Sequence, residues 1–555
     1  MSSRTSARST PLDDMDFPNQ PLPFEGFNLF DADAALQQAV ARDAAQGSVT
    51  QLRAWGETLG RPDTYALADA ANRNGPSLHT YDRRGERIDE IEFHPAWHAL
   101  MQLATRNGEH CGPWRTPHDG AQVARAASYY LHAQVENGTQ CPLTMTYASV
   151  PVLRRHAPVG IDTWMSRILA DDYDPRALAI GEKRAALIGM GMTERQGGSD
   201  VRANVTRAEP DAGGAWRITG HKWFFSAPQC DAHLVLAQTQ RGLGCFLMPR
   251  VNPDGQRNSI RINRLKDKLG NRSNASAEVE FDRALAFAVG AEDRGIATIL
   301  EMVQYTRLDC VIGSAGMIRA AFTSALHHAR QRTTFGRRLV EHPLMANVLA
   351  DVALESEAAL LLALLLARAA ETNAAPSLRA AARIVTPAAK YWICKRAIAV
   401  TAEAMEALGG NGYIEECPLP RLYREAPVNS IWEGSGNIVC LDVERAIKRE
   451  PDAVDALVAL LATARGVNAQ YDRRVTALET ALRAPDGAGA GAGGRRIAQA
   501  VALIVCAAQL IEHAPGVVAD AFCNSRLADD AFAGAAFGTL PDSTRATQLL
   551  SRALA

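Results

Sequence analysis

The sequence predicts an α+β protein laid out as helices, then strands, then helices, with a further helical region at the end. Three observations lead there. Ala-, Gln- and Leu-rich segments broken by Gly or Pro dominate residues 31–186. Short apolar runs separated by Gly, Asn, Asp and Pro clusters fill 187–291. Helical periodicity returns at about 292 and continues beyond 450. A helix-only bundle has no place for the middle strands, and an alternating βαβ chain would not segregate them.

Residues 1–30, rich in Ser, Pro and Asp, read as an N-terminal arm. The helical domain 31–186 contains segments such as ADAALQQAVARDA and GAQVARAASYYLHAQVEN. In the β domain, LIGMGM, AWRITGHKWFFS, HLVLAQT, GCFLMP and AEVEF carry strand character. In the helical domain 292–450, Val311, Ala315, Ile318, Phe322, Leu326 and Ala329 fall on one face of a 3.6-residue period. The Leu-rich stretch at 351–370 and the segment 380–408 add two more long helices, and LLLALLLA reads as core packing. The helical extension 451–555 is cut by the linker APDGAGAGAGG at 484–494.

Composition narrows the function classes. Lys and Arg total 59 against 61 Asp and Glu, a formal net charge of −2, which excludes a uniformly basic nucleic-acid coat. Ten cysteines lie scattered without a CxxC pair, as expected of reduced thiols in a cytoplasmic chain. The uninterrupted apolar stretch 358–367 is far shorter than the roughly 18–20 residues of a membrane span, so no membrane partner is expected. Gly489, Gly491 and Gly494 match G-x-G-x-x-G but follow a helix, not a strand, so they do not make a dinucleotide fingerprint. His94 and His98 have helical i, i+4 spacing without a third ligand, and no metal is expected.

Three segments carry chemistry. GMGMTERQGGSDV (189–201) ends a strand and offers Thr193, Ser199 and glycine-permitted backbone N–H groups to a ring edge or phosphate, though a tight surface turn has the same composition. GHKWFFSAP (220–228) sets three aromatics and a hydroxyl on a strand, which equally suits a core strand. The third, LGGNGYIEECPLPRLYREAPVNSIWEGSGN (408–437), places Glu433 in an apolar-flanked loop. Desolvation there raises a carboxyl above its reference of about 4.3 and suits it to abstracting a proton beside a carbonyl.

Taken together and in this order, the segments resemble the acyl-CoA dehydrogenase family over about residues 31–450, closest to its AidB-type adaptive-response flavoproteins. HAQVENGTQCPLTMTYA, GHKWFFSAPQCDAHLVLAQT, RLKDKLGNRSNAS and REAPVNSIWEGSGN carry the likeness, and the last hundred residues are similar to that subgroup's C-terminal domain. The resemblance implies a helical N-terminal domain, a middle β-barrel domain and a helical C-terminal bundle enclosing FAD, in a cytoplasmic homotetramer. It implies an FAD-dependent oxidoreductase that removes the α and β hydrogens of an acyl-CoA, with weak or specialised activity. A different class of function, a DNA-binding protective protein of the alkylation response whose flavin site is secondary, is the alternative.

Residue by residue, the resemblance assigns Glu433 the role of catalytic base and Arg307 that of substrate binding. It assigns Met190, Met192, Thr193, Ser199, Phe224, Phe225 and Ser226 to the flavin ring, and Trp432, Ser435 and Asn437 to flavin contacts around the base. Arg332, Phe335, Gly409 and Gly410 match residues that meet FAD, the first two across a subunit interface. Glu406, Pro343 and Gln304 depart from the family pattern, the first two beside FAD and the third near the substrate. For duplex DNA, the expected contacts are Arg445, Arg473, Arg474, Arg495 and Arg496, with Arg483 and Lys448 nearby. Residues 451–555 hold nine Arg against ten Asp and Glu, so local clustering around the linker, not bulk charge, motivates that expectation.

Overall fold

A computed structural model describes residues 19–484, 493–529, 536–541 and 546–553. Most of the expected arm, and Gly489 and Gly491 of the linker, lie outside the described residues.

The N-terminal part comprises α1 (Ala34–Asp43), α2 (Ser48–Gly60), α3 (Pro62–Arg73), a hairpin of β1 (Ser77–Tyr81) and β2 (Arg87–Glu92), α4 (Pro95–Arg106), α5 (Gly112–Arg115), α6 (Ala121–Ala133), α7 (Gln140–His156) and α8 (Ile161–Ile168). Proline opens α3 and α4, where its missing N–H costs no hydrogen bond. His94 caps α4 by accepting from Ala96 N, and His98 bonds Tyr173 Oη at 3.0 Å, so both histidines have structural partners.

Seven strands follow: β3 (Ile188–Gly191), β4 (Arg207–Pro210), β5 (Ala215–Ser226), β6 (Ala232–Gln238), β7 (Leu243–Pro249), β8 (Ile260–Leu265) and β9 (Ser276–Ala288). Their order is β3-β5-β4-β6-β7-β9-β8, and further β3–β6 and β5–β9 pairings close the sheet on itself. The two-residue side-chain period then sorts its residues. On β6 and β7, Val235, Ala237, Phe246 and Met248 fill the barrel, while Leu234, Leu236, Cys245 and Leu247 pack outward against Trp97, Met101 and Leu153 of the helices. Both faces are buried, which is why HLVLAQ reads as a continuous apolar run.

The C-terminal part begins with α9 (Gly295–Gln331) and the short hairpin β10 (Thr333–Thr334) and β11 (Arg337–Arg338). It continues through α10 (Pro343–Ala369), α11 (Pro376–Leu408), α12 (Gly410–Tyr413), α13 (Pro418–Asn429) and α14 (Gly436–Arg449). The extension adds α15 (Pro451–Ala462), α16 (Ala469–Leu482), α17 (Gly494–His513), α18 (Gly516–Arg526) and α19 (Ala546–Ala553). The extension is not a separate lobe. Leu457, Tyr471, Val505 and Phe522 share one buried cluster with Leu36, Ile318, Leu362 and Ile384, each such side chain contributing about 1.5–3 kcal/mol. Arg526 of α18 also pairs with Asp351 and, at 2.9 Å, with Glu355 of α10. By length and composition α17 could cross a membrane, but 67% of its apolar window is buried inside the protein, so it serves as a core helix.

Candidate active site

The base loop joins α13 to α14 and is held from below by α9 and α11. Glu433 sits in the left-handed region at φ 57°, a conformation that costs a non-glycine residue about 1–2 kcal/mol. The surroundings over-determine it. Arg307 of α9 donates from Nε to Glu433 O at 3.0 Å, and Lys390 of α11 donates from Nζ to Gly434 O at 2.6 Å. Trp432 donates from Nε1 to Asn429 Oδ1 at 2.9 Å. Strain held in place this way is a mark of a functional residue.

The Glu433 carboxyl accepts from Thr306 Oγ1 at 2.6 Å through Oε2. Burial pushes its pKa up; the Thr306 hydroxyl and the cations Lys390 and Arg307 pull the other way without cancelling the rise. A half-buried carboxylate so raised is suited to act as a general base.

Arg307 is buried and committed to the protein. Its Nη1 meets Asp442 at 2.5 Å, and Asp442 also holds Arg383 at 2.9 Å. In this structure it braces the base loop; the geometry does not show it as a free substrate ligand.

The opposite wall comes from the barrel. β3 ends at Gly191 and leads into the TERQGGSD turn. Glu194 anchors that turn from inside: it pairs with Lys222 at 2.7 Å and accepts from Val205 N at 2.7 Å. Thr193 is half-buried and Ser199 exposed, their hydroxyls without a hydrogen-bond partner among the described residues. On β5, Phe224 is 52% exposed, and Lys266 Nζ lies 4.6 Å from its ring centroid. Ser226 pairs in register with Met190 on one side and Ser276 on the other.

Two assignments on this wall are corrected. Phe225 is 1% exposed, points into the barrel and stacks on His233 with centroids 4.0 Å apart, because alternation on a strand sends it opposite to Phe224. Met190 is likewise buried, in the core between barrel and helices, whereas Met192 is half-buried at the mouth of the turn. Trp432 packs against that same core, which brings the base loop up to this wall.

Arg332, Phe335, Gly409 and Gly410 are not brought to Glu433 within one chain. Thr306 and Gln331, the last residue of α9, are 25 residues apart, about 38 Å of helix. Lys390 and Gly409 lie 19 residues apart, about 28 Å. At that far end Phe335 projects with 96% exposure from a hairpin tip that it turns with Gly336, at φ 50° and 79°. Gly409, at φ 61°, and Gly410 face open space, where a side chain would meet nothing within 4 Å.

The residues fit a flavin. Free hydroxyls at Thr193 and Ser199 and a half-exposed aromatic at 224 lie on the barrel wall, and a free hydroxyl at Ser435 and the uncapped N-terminus of α14 directly follow the base. Asn437, also there, accepts from Arg495 Nε of the extension at 2.8 Å.

The arginines expected at DNA do not form one patch. Arg473 and Arg474 lie at the start of α16 and Arg483 just past its end, so the helix separates them by about 15 Å. Arg474 donates to Leu527 O and Ala528 O at the end of α18 and pairs with Asp529 at 2.8 Å, which occupies it structurally. Arg445 and Arg496 are exposed, as are Lys448 and Arg449 on the same face of α14 as Arg445.

Sequence reasoning missed Thr306, Lys390, Asp442 and the Glu194–Lys222 pair. Each meets the site only through folding, and no local pattern marks them.

Comparison with known proteins adds family information. Models of the AidB adaptive response protein N-terminal domain, the acyl-CoA dehydrogenase middle domain and the acyl-CoA dehydrogenase C-terminal domain match residues 19–175, 189–284 and 293–448. The putative acyl-CoA dehydrogenase AidB of Escherichia coli K12 is 49% identical over 510 residues, covering 92% of this chain and 94% of that one. The crystal structure of Caenorhabditis elegans ACDH-11 in complex with C11-CoA superposes with a TM-score of 0.81 at 25% identity, covering 100% of this chain and 95% of that one. The apo-form of Bd2924 gives a TM-score of 0.80 at 28% identity, covering 89% and 100%.

Proposed function

This chain belongs to the acyl-CoA dehydrogenase family and is an FAD-dependent oxidoreductase of that kind; from that premise we propose that it dehydrogenates an acyl-CoA with Glu433 as base, in an AidB-type role under alkylation stress. The observation that carries the reading is the strained, desolvated Glu433, held by three side chains from two separate helices, α9 and α11.

Thr193, Ser199, Met192, Phe224 and Ser226 would hold the flavin ring from the barrel side, with Trp432, Ser435 and Asn437 from the base side. Bound there, FAD supplies the acceptor for a hydride leaving the substrate β carbon. Glu433 Oε2 takes the α proton, which the neighbouring thioester carbonyl acidifies. Thr306 keeps that oxygen aimed, and Arg307 with Lys390 keeps the loop from relaxing out of its left-handed turn. Donors near the base stabilise the enolate oxygen. Gln304 in place of an acidic residue, and bulky Trp432 before the base, support a specialised substrate over an ordinary one.

The reading includes a homotetramer, in which Arg332, Phe335, Gly409 and Gly410, remote from Glu433 in their own chain, would complete the FAD site of a neighbouring subunit. Ten thiols without a disulfide support a cytoplasmic setting. A second reading, association with duplex DNA, is favoured by one observation: Arg445, Lys448 and Arg449 share an exposed face of α14.

The test is anaerobic addition of branched short-chain and medium-chain acyl-CoAs to yellow holoenzyme. Bleaching of the flavin band is expected, and Glu433→Gln should keep the flavin while slowing bleaching by about 10²-fold or more. Equal rates for variant and wild type place the base elsewhere, and an unchanged wild-type spectrum with every acyl-CoA favours the DNA reading.

A further inference from the structure

Lys268 lies in the loop between β8 and β9, and the mechanism above does not use it. Its Nζ donates to Asn274 O at 2.5 Å and to Ser276 Oγ at 3.3 Å, both neutral acceptors. An ammonium has three N–H groups, and the third has no partner among the described residues. No carboxylate lies within ion-pair distance of it among those residues; the nearby Glu425 is taken up by Asn271, which donates to it from the backbone N at 2.5 Å and from Nδ2 at 2.9 Å. Desolvation pushes the lysine pKa down to about 8, with Cys141 and Glu425 opposing. A half-buried cation without a counter-ion is costly, and such groups concentrate at functional sites.

Its position says what the charge faces. Ser276 is the direct ladder partner of Ser226, and the two hydroxyl oxygens lie 3.5 Å apart. Through Ser276 the ammonium is therefore joined to β9 at the point where that strand pairs with Ser226 of β5.

We propose that Lys268 is the counter-charge for the reduced cofactor, acting through Ser276 and Ser226 to favour two-electron reduction. The balance is simple. The α proton goes to Glu433, the β hydride goes to the flavin, and the flavin is left with one added negative charge. The ammonium opposes that charge across a low-dielectric gap and so raises the midpoint potential. The inference rests on the reading that Ser226 lines the flavin.

The test measures flavin midpoint potentials of holoenzyme at pH 7 for wild type, Lys268→Met, Lys268→Gln and Lys268→Arg. The two neutral variants should shift the reduction equilibrium about tenfold or more toward oxidised flavin, a drop of about 30 mV for a two-electron couple. Lys268→Arg should restore most of it, which a packing role for the aliphatic stem would not explain. A neutral variant that holds FAD at the wild-type potential overturns the assignment. Should Lys268→Met fail to fold, Lys268→Gln, which keeps polar contacts to Asn274 and Ser276, decides. Wild-type protein that takes up no FAD would sink the flavin reading itself, a different result from flavin bound with unchanged potentials.

Discussion

Replacing Lys222 by Met tests whether a buried ion pair holds the turn that carries Thr193 and Ser199. Lys222 Nζ lies 2.7 Å from Glu194 Oε1 with both side chains fully buried, and it also donates to Leu236 O at 2.9 Å. The pair itself contributes little net stability, because desolvating two charges offsets their attraction. Met fills the volume but strands a carboxylate, and losing one partner of a buried pair costs about 3–5 kcal/mol. Protonation caps that cost. At pH 7, neutralising a carboxyl of ordinary pKa 4.5 spans 2.5 pH units at 1.36 kcal/mol each, a ceiling of about 3.4 kcal/mol. At pH 5 the ceiling falls to about 0.7 kcal/mol.

The sign follows from linkage. In the variant the stranded carboxyl has its folded pKa raised, so its cost is present above the unfolded pKa and disappears as pH falls toward it. In wild type, burial pushes the Glu194 pKa up, but Lys222 and the backbone donors override this and hold it at about 2, so the pair stays ionised at both pH values. Urea denaturation followed by the fluorescence of Trp216 and Trp223 on β5 reads the barrel. The expected loss is about 3 kcal/mol at pH 7 and under about 1 kcal/mol at pH 5, and Lys222→Met combined with Glu194→Gln should recover most of it. Equal losses at the two pH values, or a double variant no better than the single, would refute the reasoning.

Three further outcomes are expected. Because the Glu433 pKa is raised and the base must be ionised, flavin reduction should fall as pH drops through a value above the ordinary carboxylate range; a limb within or below that range would contradict the desolvation argument. Phe224→Ala should weaken FAD binding with little loss of stability, whereas Phe225→Ala should destabilise the barrel by about 3–5 kcal/mol, and equilibrium dialysis with denaturation separates the two. For DNA, Arg445→Ala with Arg496→Ala should flatten the log–log salt dependence by about 0.9 for each phosphate no longer neutralised, while Arg474→Ala should lower stability and leave that slope intact; an unchanged slope in the first variant removes this face as the site.

Much was legible in the chain because it is local. The order helix, strand, helix follows from apolar periods of 3.6 and 2 residues, and the face Val311, Ala315, Ile318, Phe322 is buried as its spacing requires. Glu433 was recognisable from its apolar flanks and its motif, since desolvation by near neighbours is a short-range property. What only the tertiary structure decided concerns groups distant in sequence. Alternation alone does not say which of Phe224 and Phe225 faces the barrel, because that depends on where the β5–β9 register shifts between Lys222 and Phe225. Arg307 became a brace for the base loop once Asp442, 135 residues later, came to 2.5 Å. Arg473 and Arg483 looked like neighbours around a linker, yet the rigid rise of α16 holds them about 15 Å apart. Side-chain spacing along one element is written in covalent geometry, whereas a contact between elements exists only after the core has chosen how they pack.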